Sequence, residues 1–194
     1  MDQYEYSAPS WAPERDLEWV ETCANVQSMQ FMIDCLPMIR ELIEAWPSDT
    51  PVRVLDVGTG TGAGANLLAT LYAGRILGHQ MIVDAIDIAG GYLEQYAKTK
   101  FPLIKYMVGD VASLPVDEPW DLVVCSHTVE HIENYPDFVE SLRKIARKWV
   151  LFYAPWNERN LIPEHVNTID KPFLKRVGAV RWQIVHSPAW GGGR

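Results

Sequence analysis

The feature that most constrains the fold is an apolar run, residues 52–64, that ends in an acid and a glycine-rich turn (VRVLDVGTGTGAG). Its valines and leucine favour a β-strand that is buried on both faces. The glycines allow the backbone to turn tightly and let a ligand approach where a Cβ atom would block it. Residues 65–71 predict a helix that packs back on this strand. The turn therefore opens a helix N-terminus and predicts a ligand-binding loop.

Two classes of cofactor bind at such a turn. A dinucleotide site needs Gly-x-Gly-x-x-Gly or a final Ala, with the pyrophosphate at the helix N-terminus. Gly58, Gly60 and Ala63 satisfy this permissive form. Asp56 argues against it, because a carboxylate two residues before the first glycine is a poor neighbour for a pyrophosphate and a good partner for a cationic amine. An ordinary strand-turn-helix unit without a ligand is the third interpretation.

The spacing of four residues distinguishes between these interpretations. Asp56, Gly58, Gly60 and Gly62 follow the pattern Asp-x-Gly-x-Gly-x-Gly. This pattern resembles the first motif of the class I S-adenosylmethionine-dependent methyltransferases. The resemblance implies S-adenosyl-L-methionine as the cofactor and these four residues as part of its binding site. The amine that Asp56 binds is then the α-amino group of the methionine moiety.

Composition narrows the class of protein. The chain has 194 residues, of which 48% are hydrophobic and 22% charged, and this fits one soluble globular domain. A formal net charge of −8 argues against a nucleic-acid partner, because phosphate backbones are bound by clusters of Lys and Arg. The start of the chain is polar and no apolar run reaches membrane-spanning length, so we expect a cytoplasmic protein. Cys23, Cys35 and Cys125 lack metal-ligand spacing and fit a reducing compartment.

Residues 1–50 are predicted to form an N-terminal arm and cap helices, and residues 51–194 the cofactor-binding core of a single domain. The aromatic arm at residues 1–13 is either a cover over a ligand or a neighbouring subunit, or a segment without a role. Apolar spacing between residues 17 and 42 predicts two helices, with a break or kink at Pro37. These helices resemble the extra N-terminal helices that roof the acceptor site in many methyltransferases.

Strands and helices alternate through the rest of the chain. This alternation predicts an α/β fold, Rossmann-like and doubly wound, with a mostly parallel sheet and helices on both faces. In such sheets, ligands bind at the carboxyl ends of the strands. The predicted strands are residues 52–57, 81–86, 103–108, 120–125, 149–154 and 179–186. The predicted helices are residues 65–71, 90–100, 135–148 and 170–177, followed by a frayed end at 191–194.

Several candidate cofactor-binding residues follow these strands. Asp87 ends the second strand, where its two oxygens match the two ribose hydroxyls; its alternative role is to cap the next helix. The family resemblance implies that Ile88 packs against the adenine, that Asp110 lies near its exocyclic amine and that Val111 lies beside the ring. Ser126 ends the fourth strand at the same edge and completes the predicted cofactor site.

His127 is the candidate catalytic residue. Its reference pKa of about 6.5 suits a base that deprotonates a hydroxyl or an amine. The alternative is a histidine that holds its loop by hydrogen bonds. Glu130, His131 and His165 are weaker candidates for the base. Residues 127–131 also spell His-x-x-Glu-His, an inverted zinc-protease pattern, but Asn134 and Pro136 shorten the segment and no third ligand is evident, so we expect no metal site.

Other aromatic and basic residues have structural interpretations. Tyr96 and Lys100 have the spacing of a short-chain dehydrogenase pair, but they follow the second strand and are interpreted as a solvated helix face. Trp156, Trp182 and Trp190 either line an acceptor pocket or fill the C-terminal layer, and packing is favoured.

The leading functional prediction is methyl transfer from S-adenosyl-L-methionine to a small-molecule acceptor. A homodimer is compatible with this prediction. The first alternative is a non-catalytic S-adenosylmethionine-binding or regulatory subunit, because the chain looks short of the final antiparallel hairpin that the resemblance implies. The second alternative is a nicotinamide-dependent dehydrogenase, which Asp56 disfavours.

Overall fold

The computed structural model describes residues 17–47, 49–75, 77–88 and 90–188. The aromatic arm, Trp190 and the glycine-rich end therefore lie outside the described residues. In the described ranges five strands form one sheet, in the order β3-β2-β1-β4-β5. Every neighbouring pair of these strands is parallel. The strands are β1 (Val52–Val57), β2 (Met81–Asp87), β3 (Lys105–Val108), β4 (Trp120–Ser126) and β5 (Ala146–Tyr153).

Helices cover both faces of the sheet, and the predicted fold class is confirmed. On β1, Val52 and Val54 pack in one cluster with the long N-terminal helix at Asn25–Ile43, and Leu55 and Val57 pack in a second cluster on the other face. Because successive side chains of a strand point to opposite faces, a strand buried on both sides reads as a continuous apolar run. The helices are α1 (Leu17–Trp19), α2 (Asn25–Ile43), α3 (Ala63–Tyr72), α4 (Tyr92–Lys100), α5 (Tyr135–Ile145) and α6 (Lys171–Arg176).

The N-terminal helices differ from the prediction. A π-helical stretch, Val20–Ala24, joins α1 to α2, and α2 continues through Pro37 without a break. Proline removes the hydrogen bond to the carbonyl four residues earlier, here that of Ile33. Ile33 is 45% exposed and Pro37 is also exposed, so water can hydrogen-bond to this carbonyl. The predicted break is wrong because the unpaired group lies on the solvent side of the helix.

The C-terminal part contains two further corrections. Helix α5 ends at Ile145, so Arg147 and Lys148 belong to β5 rather than to the end of the helix. The predicted strand at residues 179–186 is wrong, since no strand is assigned there and Val180 is 87% exposed. Its valines and isoleucine favour a strand, but a strand forms only where a neighbour supplies hydrogen bonds. In the described parts of the chain, no helix is both long and apolar enough to cross a membrane.

Candidate functional site

The glycine-rich turn lies between β1 and α3, in the middle of the sheet. Strand β1 pairs with β2 on one side and with β4 on the other, so the turn lies where the connections of the sheet change direction. This is the position at which parallel α/β sheets bind ligands. Gly58, Gly60 and Gly62 have φ angles of 71°, 55° and 81°, which glycine adopts more readily than other residues. The N–H of Gly58 donates to the carbonyl of Ile86 over 2.9 Å, which holds the turn against β2.

Gly58 has no space for a side chain. A Cβ atom at this position would lie 2.1 Å from the hydroxyl oxygen of Thr128. The Thr128 hydroxyl has two backbone carbonyls as acceptors at the carboxyl edge of the sheet, that of Ser126 at 3.0 Å and that of Val57 at 3.3 Å. The turn and the segment after β4 are therefore in direct contact. By contrast, a Cβ atom on Gly60 would have no atom of the described residues within 4 Å.

Two carboxylates accept hydrogen bonds from residues of the turn. Asp56 is 4% exposed, and its Oδ2 accepts a 2.7 Å hydrogen bond from the Thr59 hydroxyl. Asp87 is partly exposed, and its Oδ2 accepts a 2.8 Å hydrogen bond from the N–H of Gly60. A carboxylate accepts up to about four hydrogen bonds. The structure thus brings the two acids predicted from the sequence to one turn.

Burial sets the charge state of Asp56. Loss of hydration on burial, together with the nearby negative charge of Asp87, raises the pKa of Asp56 to about 7, although the hydrogen bond from Thr59 acts in the opposite direction. The carboxyl group is therefore poised between its neutral and its charged form near neutral pH. A cationic group placed beside it would favour the charged form.

Helix α2 covers this edge of the sheet. The Ser28 hydroxyl accepts a 3.0 Å hydrogen bond from the N–H of Gly64, in the first turn of α3. The ring of Phe31 stacks on the ring of His127, with 3.7 Å between centroids and 13° between planes. Oδ2 of Asp34 accepts a 2.9 Å hydrogen bond from the Tyr153 hydroxyl at the end of β5. One face of α2 therefore contacts the glycine turn and the ends of two strands.

His127 lies directly beneath this helix. Its φ angle is 47°, and its side chain is 12% exposed. The ring packs between Phe31 and Tyr153, whose centroid is 5.3 Å away in an edge-on arrangement. Nδ1 of His127 lies 3.1 Å from Oε1 of Glu130. Two aromatic neighbours and a carboxylate thus fix the orientation of the imidazole.

The remaining predicted cofactor residues also lie at the carboxyl edge. Asp110 is exposed, and its Oδ1 accepts a 2.9 Å hydrogen bond from the N–H of Ala112, which caps a short 3₁₀ turn. Val111 is 5% exposed and Ile88 is 49% exposed. The hydroxyl oxygen of Ser126 is buried, and none of the described residues provides a hydrogen-bond partner for it.

Three contributors to this site do not emerge from the sequence. Tyr106 is buried in β3 and donates a 2.7 Å hydrogen bond to the carbonyl of Gly60, and burial raises the pKa of its hydroxyl. Ser28 and Phe31 contact the site from α2, whereas the sequence pattern assigns Phe31 only to an apolar stripe. The available signal is their spacing of three residues, which places Ser28 and Phe31 on one helix face.

The structure tests the interpretation of Tyr96 and Lys100 as a solvated helix face. Tyr96 is 8% exposed, and its hydroxyl accepts a 2.7 Å hydrogen bond from the side-chain amide of Asn25, so its assignment to a solvated helix face is wrong. Lys100 is exposed, as expected. The rings of Trp156 and Trp182 stack on each other with 5.6 Å between centroids.

A cavity of about 440 Å³ lies elsewhere, at the amino ends of the strands. It is lined in part by Trp46, Arg53, Asp121 and Arg147. Because Arg53 and Arg147 are near the starts of β1 and β5, this cavity is remote from the glycine turn. We therefore assign the candidate site to the carboxyl edge.

Comparison with known proteins identifies the family. A family model for the methyltransferase domain matches residues 55–153, half of the chain. The chain belongs to the class I S-adenosylmethionine-dependent methyltransferases, as the resemblance at Asp56 to Gly62 implied. The matched segment contains the glycine turn, Asp87, Asp110 and the segment after β4.

The individual relatives share limited sequence identity with this chain. The ubiquinone biosynthesis O-methyltransferase of Rickettsia conorii is 31% identical over 112 residues, which are 56% of this chain and 36% of the relative. Its mitochondrial counterpart in Dictyostelium discoideum is 21% identical over 184 residues, 90% of this chain and 53% of the relative. The chain thus spans between about a third and just over half of these relatives. S-adenosylmethionine-bound CalS10, an amino pentose methyltransferase from Micromonospora echinaspora, has the same fold, with a TM-score of 0.54 and 20% identity over 70% of this chain and 54% of its own.

Proposed function

We propose that this chain is an enzyme that transfers a methyl group from S-adenosyl-L-methionine to a small-molecule acceptor. The observation that carries the proposal is the position of Asp56 and Asp87 at a turn in which Gly58 has no room for a side chain. The names of the Rickettsia conorii and Dictyostelium discoideum relatives support a small organic acceptor, since they describe O-methylation in ubiquinone biosynthesis.

The residues at the turn fit the cofactor. We propose that Asp87 accepts hydrogen bonds from the ribose hydroxyls and that Asp56 holds the α-amino group through its charge. Gly58, Gly60 and Gly62 let the backbone approach the ligand. On the adenine side we propose Ile88, Asp110 and Val111, and we propose Ser126 as a further cofactor-binding residue; all four lie at the carboxyl edge of the sheet.

The acceptor site is proposed to lie beneath the cap formed within residues 1–50. Support comes from α2, which contacts both the glycine turn through Ser28 and the ring of His127 through Phe31. A cap that closes over the reacting atoms holds the acceptor in line and excludes water. Together with this cap, residues 51–194 would form one domain.

His127 is proposed as the general base. S-adenosyl-L-methionine, when bound, supplies a methyl group on a sulfonium that leaves as a thioether. The imidazole of His127 accepts the proton of the acceptor hydroxyl or amine, so that a lone pair is available for the new bond to carbon. Glu130, 3.1 Å from Nδ1, stabilises the imidazolium that results. Phe31 holds the ring in place by stacking.

We expect His127→Asn to lower kcat by about 10²- to 10⁴-fold, the usual contribution of a positioned base. The rise of kcat with pH that reports the base should disappear, while affinity for S-adenosylhomocysteine should change little. Steady-state rates over a pH series check this, with exposed His186→Asn as the matched control. An unchanged pH profile in His127→Asn would assign the histidine a purely structural role.

The cofactor assignment is tested by calorimetry. Titration with S-adenosylhomocysteine should give one binding event, and titration with NAD should give none. Asp87→Asn keeps an oxygen that accepts from the N–H of Gly60 but lacks the negative charge, so it should weaken S-adenosylhomocysteine binding with little loss of thermal stability. Heat from NAD alone would favour the dehydrogenase alternative.

A methylation assay distinguishes an enzyme from a non-catalytic regulatory subunit. An enzyme with tight cofactor binding should methylate a member of a panel of small phenols and amines, and the product should show the added mass of one methyl group. Cofactor binding without turnover, with turnover appearing when a partner protein is added, would support the regulatory-subunit alternative.

We also propose a cytoplasmic location, which the three free cysteines support. The homodimer stays a prediction from the sequence.

A further inference from the structure

A second group of polar side chains lies beside the proposed acceptor site. It consists of Glu130 and His131, in the short 3₁₀ turn after β4, and His165, in the loop after β5. One nitrogen of each histidine and one oxygen of Glu130 all lie within 4.8 Å of one another. We call these three residues the histidine–glutamate cluster. Glu130 and His165 are buried and His131 is exposed, so the cluster is reachable from solvent on one side.

The tautomer of His131 is fixed by its surroundings. Its Nδ1 lies 2.9 Å from the carbonyl oxygen of Glu164. A carbonyl oxygen only accepts hydrogen bonds, so Nδ1 of His131 carries the hydrogen in the neutral ring. Its Nε2 therefore carries a lone pair. A metal-binding histidine commonly has this arrangement, in which one ring nitrogen donates to a backbone carbonyl and the other binds the ion.

His165 has a similar partner that carries a negative charge. Its Nδ1 lies 2.5 Å from Oε2 of Glu158, and its side chain is 2% exposed. A carboxylate that accepts the Nδ1 hydrogen of a histidine orients the ring and raises the basicity of Nε2. Both histidines of the cluster thus have the outer hydrogen bond that metal ligands use.

Glu130 gives an independent indication of a cation. The residue is 1% exposed, and its two carboxylate oxygens are buried and accept no hydrogen bond from the described residues. Nδ1 of His127 lies 3.1 Å away, close enough for an electrostatic contact if that ring is protonated. A buried carboxylate is costly unless it is paired, hydrogen-bonded or coordinated to a metal. A cation in the cluster would supply the missing stabilisation.

Hydrogen bonds fix the two segments that carry the cluster. The backbone carbonyl of Glu130 accepts from the N–H groups of Val166, at 2.8 Å, and Asn167, at 3.1 Å. The side-chain amide of Asn167 donates to the carbonyls of Val129, at 3.2 Å, and Ile132, at 2.6 Å. The three cluster residues are therefore held together by the backbone and not only by their own contacts.

We propose that the histidine–glutamate cluster binds one zinc ion, or another first-row transition metal ion, through His131, His165 and Glu130. Two imidazoles and one carboxylate suit such an ion, whereas magnesium and calcium prefer oxygen ligands alone. Ligand atoms around a tetrahedral zinc ion lie about 3.4 Å apart, so binding would draw the three groups inward by roughly an ångström. A water molecule or a substrate atom would complete the coordination.

This proposal revises the expectation from the sequence, which is that the His-x-x-Glu-His pattern forms no metal site. That pattern offers His127 and His131 as the two histidine ligands and lacks a third ligand. In the structure, His127 stacks on Phe31 and is not part of the cluster. The second histidine of the cluster is His165, which follows His131 by 34 residues in the sequence and contacts its ring.

The experiment uses the full chain without a polyhistidine tag, treated with a chelator and then titrated with zinc. Calorimetry should show one ion per chain, and cobalt should give the visible absorption of a site with low coordination number. His131→Ala and His165→Ala should each lower zinc affinity by more than tenfold, and Glu158→Gln by about 10- to 100-fold. His186→Ala, at an exposed histidine remote in sequence from the cluster, should leave zinc affinity unchanged.

Any of three results would overturn the proposal. These are the absence of stoichiometric zinc binding, retention of full affinity in His131→Ala, and an equal loss of affinity in His186→Ala. If His165→Ala does not fold, His131→Ala decides the question, because the side chain it removes is exposed.

Discussion

Replacing Gly58 by alanine is expected to abolish detectable binding of S-adenosylhomocysteine and to lower the melting temperature, whereas Gly60→Ala should retain part of the binding. Both residues have a positive φ angle, which costs a non-glycine residue about 1–2 kcal/mol. Among the described residues, the new Cβ atom would overlap a neighbour at Gly58, where the Thr128 hydroxyl is 2.1 Å away, but not at Gly60. Overpacking of this kind adds about 1–3 kcal/mol and displaces the turn. Calorimetry and thermal unfolding of the two variants measure the difference.

A double variant tests whether Thr128 is the cause. The three atoms that a Cβ on Gly58 would approach most closely all belong to the Thr128 side chain, at 2.1, 2.7 and 2.9 Å. Adding Thr128→Gly to Gly58→Ala should therefore recover much of the lost stability, although Thr128→Gly alone destabilises the protein. Additive effects of the two substitutions would show that the residues do not interact as the structure indicates.

The parts of the fold that depend on local pattern are predictable from the sequence. Strand β1 and the turn can be identified because a buried strand is continuously apolar and because a tight turn needs glycine. Asp56 and Asp87 can be assigned to one site because parallel strands end at the same edge. The predicted break at Pro37 is wrong because the cost of an interior proline depends on whether the carbonyl it leaves unpaired can reach water.

The parts that depend on distant contacts are not predictable from pattern. Residues 179–186 have the composition of a strand, but hydrogen-bonded pairing decides whether a strand forms. Ser28 and Tyr106 reach the glycine turn from 36 and 46 residues away in sequence, through single hydrogen bonds. His165 joins Glu130 only because the loop after β5 folds over the turn after β4. No periodicity in the sequence indicates these contacts.

Affinity for S-adenosylhomocysteine is expected to rise between about pH 5.5 and 7.5, with release of a proton on binding. Burial raises the pKa of Asp56 to about 7, so at the lower end of this range the free protein carries a neutral carboxyl group. The α-amino group of the ligand is a cation and favours the ionised carboxylate, so binding must displace the proton. Below about pH 7 the affinity should fall by up to about tenfold per pH unit.

The contribution of Asp56 to the stability of the free protein should fall as the pH rises, whereas ligand affinity should increase. The pKa of this acid is higher in the folded protein than in the unfolded protein. Its contribution to the stability of the folded state is therefore fully present below the unfolded pKa and is lost as the pH rises through about 7. S-adenosylhomocysteine should reverse this loss by favouring the charged form. Thermal unfolding with and without ligand, over the same pH series, measures both effects.

Asp56→Asn separates the charge of this residue from its hydrogen bond. The asparagine oxygen still accepts from the Thr59 hydroxyl, so the turn should keep its conformation, but the side chain no longer titrates. The variant should bind S-adenosylhomocysteine weakly at about pH 7.5, release no proton on binding, and show an affinity that hardly changes with pH. It should also be more stable than the natural protein above about pH 7, where burial of the Asp56 charge is costly. Wild-type pH dependence in Asp56→Asn would move the amine contact to another residue, and Asp87 is the nearest candidate at the same turn.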